Sequence, residues 1–179
     1  LTSDGNLDGI QSFKCLPTIN WESDWHTEHK LSMDDLQGYP PLDNTIVSPF
    51  VADLAKADYI LAYKVKFEVK KVTKEFLRLG IDPIIMKSKS QIDPLTLWTI
   101  AEPDKKLETA FRRWSGKKLE GAHDAAVDIT ATANIMPGLL KDFGLQNHSI
   151  DNIARMCGDN NFVDAEGKMI WENGKPVIN

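Results

Sequence analysis

The run Gly121-Ala122-His123-Asp124-Ala125-Ala126-Val127-Asp128 governs how the rest of the chain is read. A histidine stands five residues before a carboxylate, and Ile129 to Met136 continue without a breaker. Good helix formers follow the glycine, so the pattern predicts a helix starting near His123 or Asp124. His123 is then expected in the loop before that helix. Asp128 is expected in its second turn, leaning back toward the N-terminus. A loop imidazole and a helical carboxylate arranged in this way can face one small volume. That suits a base working on water beside a metal held by carboxylate. The ordinary alternative is an acidic residue near the positive end of a helix dipole. By itself the octapeptide leaves both readings open.

The chain around it has 179 residues, enough for one well-buried domain. A hydrophobic content of 42% is that of a folding chain, not a disordered one. The net charge of −5 argues against a broad nucleic-acid-binding coat, so any such contact is expected to be local. Cys15 and Cys157 lie far apart and match no zinc spacing. Free thiols in a reducing compartment are expected. No apolar run approaches the length of a membrane span, and no signal-peptide pattern opens the chain. The expectation is a cytoplasmic protein with no membrane partner.

Upstream, strand-like and helix-like segments alternate, which argues for α/β layers. Ile10 to Leu16 reads as a short strand ended by Pro17. Thr18 to Asn44 is loop-rich and closes on Gly38-Tyr39-Pro40-Pro41. Asn44 or Thr45 can cap a helix to about Ala57, whose apolar stripe is Ile46, Phe50 and Leu54 with Val47 and Val51. Asp58 to Tyr63 reads as a buried strand. Val65 to Leu79 follows as a helix with core face Val65, Val69, Val72, Phe76 and Leu79, and Gly80 stops it.

Ile84-Ile85-Met86 reads as another short strand, and Pro94 suits the first turn of a helix to Ala101. Leu107, Phe111 and Trp114 mark a helix ending at Gly116. Downstream of the octapeptide, Pro137 is expected to kink or restart the helix and Gly144 to end it. Ile150 to Met156 reads as a short helix. Glu166-Gly167 and Asn173-Gly174 are hairpin turns of a small β meander that includes Trp171.

A second chemical stretch is Tyr63-Lys64-Val65-Lys66-Phe67-Glu68. It follows a strand and opens a helix, where α/β folds present ligand groups. Glu68 and Asp128 can then supply two carboxylates to a divalent cation with oxygen ligands. The alternative for Glu68 is a solvated helix position beside Lys71.

In this order, the stretches resemble the DEDDh 3′–5′ exonuclease superfamily, in particular the proofreading domain of DNA polymerase III epsilon subunits. The resemblance covers roughly residues 10 to 145. Glu28-His29-Lys30-Leu31-Ser32 followed by Gly38-Tyr39-Pro40-Pro41 is similar to the family's His-Gly-Ile-Thr loop and Pro-Pro helix entry. Ala62 to Val69 resembles the second motif, His-Asn-x-x-Phe-Asp, with Tyr63 and Lys64 in place of His-Asn and Glu68 in place of Asp. Ile92 to Leu97 is similar to the strand before the third-motif region. Leu107 to Leu119, then Gly121 to Asp128, resembles the third motif, His-x-x-x-x-Asp, with its lead-in. The first motif, Asp-x-Glu-Thr-Thr-Gly on the first strand, is absent from this sequence. Leu1 begins about where the chain would continue after that Gly. The expectation is a chain lacking its first-motif strand upstream of residue 1, or one that has diverged and does not need it. Asp4 and Asp8 are the only nearby acids and sit in turn-like sequence.

The resemblance implies an α/β fold with a ribonuclease-H-like mixed sheet flanked by helices, and the chain adds the small C-terminal β meander. The exonuclease-like domain would span 1–149 and a helix-and-hairpin tail 150–179. It also implies two Mg²⁺ or Mn²⁺ ions, His123 as general base, and Asp128 and Glu68 as metal ligands. His29 and Leu31 would lie beside the terminal nucleotide with Tyr63 nearby, and Lys64 would meet a phosphate or fill the place of a missing cation. The implied partners are a single-stranded nucleic-acid 3′ end, DNA or RNA, and a DNA polymerase. Two basic runs, Lys64 to Arg78 and Arg112 to Lys118, can track a phosphate backbone or serve as solvated helix faces. A non-catalytic module of the same fold, holding a nucleic-acid end or a polymerase, is the alternative.

Overall fold

Tyr59–Leu61 (β1) and Ser90–Ile92 (β2) run parallel, with Tyr59 opposite Ser90, Ile60 opposite Gln91 and Leu61 opposite Ile92. The structure is a computed structural model that describes residues 9–18, 32–101, 104–157, 171–172 and 175–176. Parallel strands need a long crossover. Here it comprises Val65–Arg78 (α3) and Ile84–Lys87 (α4), preceded along the chain by Met33–Leu36 (α1) and Asn44–Lys56 (α2). Pro94–Ala101 (α5), Leu107–Ser115 (α6), Ala125–Asp142 (α7) and Ile150–Cys157 (α8) follow β2.

Strand alternation distributes the core to both faces of this pair. Tyr59 and Leu61 pack against a large cluster built on Ile92, Leu97, Trp98, Ala110, Ile135, Leu139 and Met156. Ile60 packs on the other side, against Leu54, Phe76 and Met86 from α2, α3 and α4. Among the described residues the fold is therefore a helix-dominated α/β arrangement, with eight helices and two two-stranded sheets. The mixed sheet expected from the sequence comes down, within these residues, to the β1–β2 pair. The helix expected in a separate tail, α8, places Ile153, Ala154, Met156 and Cys157 in the large cluster, so it belongs to the main core.

Several elements fall where the periodicity placed them. α3 buries Val65 and Phe76 and is followed by Gly80 at φ 73°. α6 ends on Gly116 at φ 69°, a left-handed cap that glycine adopts without strain. β3 (Trp171–Glu172) and β4 (Lys175–Pro176) pair antiparallel; the Asn173-Gly174 and Glu166-Gly167 turns lie outside the described residues.

Others differ. Ile10 to Leu16 forms no strand: a single bridge joins Leu16 to Pro41, with the Leu16 N–H donating to the Pro40 carbonyl at 2.9 Å. Ile10 and Phe13 are 47% and 51% exposed, so no burial supports strand pairing there. Ile84-Ile85-Met86 is the helix α4, because Pro83 holds φ −71° and Asp82 Oδ1 accepts the Ile84 N–H at 2.9 Å. α2 is capped by Asp43, whose Oδ1 accepts the Ile46 N–H at 2.9 Å, and not by Asn44 or Thr45. Phe50 of its expected stripe stays 38% exposed. α7 runs through Pro137, held on either side by Ile135 and Leu139, which are 1% and 0% exposed. Among the described residues no helix is long and apolar enough to cross a membrane.

Candidate metal centre

Two helix N-termini carry the candidate carboxylates, and they are built alike. Each follows a residue in the left-handed region, Lys64 at φ 62° and His123 at φ 75°. Each has its carboxylate in the first turn, Glu68 in α3 and Asp128 in α7. Asp128 is thus one turn earlier than the sequence suggested, because Asp124, and not a residue before it, caps the helix. Its Oδ1 accepts the N–H groups of Ala126 and Val127 at 3.0 and 3.1 Å. Carboxylates in a first turn are favoured by the helix dipole.

His123 lies in the loop before α7, as the sequence indicated. Its backbone N–H donates to Asp128 Oδ1 at 3.3 Å. Its Nε2 stands 3.9 Å from Glu108 Oε1 of α6, with both side chains half exposed. Burial pushes the Asp128 carboxyl above its ordinary value; the His123 N–H and imidazole pull it down, and Glu108 and Asp124 push it further up.

The Glu68 carboxyl on α3 is also raised. Loss of water raises its carboxyl although the residue as a whole is exposed, Lys71 pulls it down, Asp128 pushes it up and Lys64 pulls it down. The charge of Asp128 is therefore felt at Glu68. Lys64 and Lys71 serve as built-in counter-charges to Glu68.

Tyr63 is half-buried against the large cluster, and its hydroxyl donates to the Lys105 carbonyl at 3.1 Å. Burial, then the charges of Asp93, Asp104 and Glu108, hold the phenol protonated well above its ordinary range. His29 and Leu31 lie outside the described residues.

Two groups at the site were not singled out from sequence. Glu108 arrives through the packing of α6 on α7, for which its local sequence holds no signal. Asp93 is 7% exposed and accepts three backbone N–H groups, from Lys64, Val65 and Leu95. The Asp93-Pro94 pair, a helix cap followed by a first-turn proline, is the signal that could have marked it.

The basic runs are partly engaged. Lys71 Nζ lies 5.0 Å from the centroid of Phe67, which is 53% exposed. Arg113 lies 5.6 Å from the rings of both Trp98 and Trp114 and pairs with Asp142 at 3.4 Å. Among the described residues no group of three or more His, Cys, Asp or Glu side chains is placed to hold a metal ion.

No protein-family model matches this chain, and no curated protein matches it. The site comprises Asp128 in the first turn of α7, the imidazole of His123 on the adjoining loop, and Glu68 in the first turn of α3, which feels the charge of Asp128.

Proposed function

We propose that this chain is a metal-dependent 3′–5′ exonuclease of the DEDDh type, removing nucleotides from the 3′ end of single-stranded DNA. One observation carries the reading: His123, whose backbone N–H donates to Asp128 Oδ1 at 3.3 Å, stands on the loop between α6 and α7 with its Nε2 3.9 Å from Glu108 Oε1. The reading includes a ribonuclease-H-like sheet, of which the parallel β1–β2 pair would be part. A nucleic-acid 3′ end and a DNA polymerase are the partners that go with it.

The residues fit Mg²⁺ or Mn²⁺. Mg²⁺ commonly keeps several waters and takes one or two protein carboxylates together with substrate phosphates. Glu68 and Asp128 are such a donor set; burial, the largest cause, raises both carboxyls, and like charge adds to it. Such an ion, held by Glu68 and Asp128, would supply Lewis-acid stabilisation of developing charge and a more acidic water. His123 takes the proton of the attacking water as general base. Glu108, facing Nε2, balances the imidazolium that results. Lys64 and Lys71 meet the phosphate charge beside Glu68.

Those same two lysines favour the second reading, a non-catalytic module of this fold that holds a nucleic-acid end or a polymerase. They already offset Glu68 without any added cation. The deciding experiment is hydrolysis of a 3′-labelled single-stranded oligonucleotide by the chain, with Mn²⁺ and with chelator, beside His123→Ala. Metal-dependent shortening from the 3′ end that disappears in the variant is expected. A folded chain that does not shorten the strand overturns the exonuclease reading, and metal-independent binding of the same strand then selects the module.

A further inference from the structure

α3 begins without help from its own cap residue. Lys64 makes no side-chain capping bond, and its backbone sits at φ 62° and ψ 46°, a left-handed conformation that is strained for a non-glycine residue. The cap comes from across the sheet. Asp93 Oδ1 accepts the Lys64 N–H at 3.0 Å, and Oδ2 accepts the Val65 N–H at 3.0 Å. Oδ1 also takes the Leu95 N–H at 3.0 Å, so the same carboxylate caps α5. Asp93 directly follows β2, and the Ala62 N–H donates to the Ile92 carbonyl at 3.2 Å, continuing the pairing past β1.

We infer that Asp93 is a positioning residue for the candidate metal centre: its one buried carboxylate fixes where α3 starts and so where Glu68 stands. The inference rests on the proposed function of Glu68. A free first turn frays, because its N–H groups lack intrahelical acceptors. Glu68 lies in that turn. Asn at position 93 has nearly the same shape, but its amide nitrogen presents donors where one oxygen now accepts an N–H. The fold's contacts remain while the start of α3 loosens.

The test is Mn²⁺ binding by electron paramagnetic resonance, together with thermal melting, for the wild type, Asp93→Asn and Phe76→Leu. Phe76 is 1% exposed and lies at the opposite end of α3, so F76L weakens packing without touching the capped turn. D93N is expected to lower Mn²⁺ affinity about ten- to hundredfold, the range for partners that orient metal ligands. F76L is expected to lower the melting temperature with Mn²⁺ affinity unchanged. Unchanged affinity in D93N, or an equal loss in F76L, overturns the positioning role. Should D93N fail to fold, Asp93→Ser, whose hydroxyl keeps one acceptor, is read by the same criteria. A wild type that binds no Mn²⁺ overturns the functional reading, and this inference with it.

Discussion

The His123 backbone N–H donates to Asp128 Oδ1 at 3.3 Å, so the loop carrying the imidazole is tied to the carboxylate of the helix it precedes. At position 123 that bond uses only the backbone N–H, so it survives any side chain there. His123 sits at φ 75°, where glycine is unstrained and alanine is not. His123→Gly should therefore exceed His123→Ala in stability by about 1 kcal/mol. On the proposed function, with His123 as general base, both should lose oligonucleotide hydrolysis by about 10²- to 10⁴-fold. Urea denaturation of the two variants checks the first statement, and greater stability in H123A would contradict it.

Gly138 lies inside α7, where alanine ordinarily gains about 1 kcal/mol from helix propensity. A Cβ here would fall 2.5 Å from Trp114 Cδ1, 2.7 Å from Cγ and 2.9 Å from Cβ. The indole has little room to yield, since its Nε1–H donates to Asp142 at 2.9 Å and its ring stands edge-on to Trp98 at 5.1 Å. Overpacking of this kind costs about 1–3 kcal/mol and should outweigh the propensity gain. Gly138→Ala is expected to lower the melting temperature, and a rise would show that Trp114 moves aside freely.

Asp93 gives the pH dependence a definite sign. Burial raises its carboxyl above 3.8 against the opposing pull of the Leu95, Lys64 and Val65 N–H groups and of Lys66. The folded state therefore holds this proton more tightly than the unfolded state. The resulting stability is full below the ordinary value and is lost as pH rises through the raised one. The stability difference between wild type and Asp93→Asn should shrink as pH rises from 3.8 through the mildly acidic range. Denaturation of both proteins across that range tests it, and a difference that grows with pH would contradict the sign.

Local signals were legible in the sequence, and long-range ones were not. α6 could be read because Leu107, Phe111 and Trp114 share one face and Gly116 stops the helix in a left-handed cap. The loop histidine and helical Asp128 were legible from the glycine and the run of helix formers behind it. Ile10 to Leu16 and Ile84 to Met86 were misread as strands, since a short apolar run does not distinguish strand from helix. For the second run, the capping by Asp82 and Pro83 decides the matter. The charge of Asp128 felt at Glu68 depends on how α7 packs, which periodicity does not specify. The role of Asp93 was hidden for a related reason: two of its three N–H donors, Lys64 and Val65, come from the far side of the crossover.

The most direct test is a Mn²⁺ titration of the folded wild type, Glu68→Gln and Asp128→Asn, read by electron paramagnetic resonance. If the two carboxylates share a cation, the wild type binds Mn²⁺ saturably and each substitution weakens binding by about tenfold or more, as loss of a ligand charge requires. Equal binding by all three proteins, or none by the wild type, would contradict a metal centre built on Glu68 and Asp128.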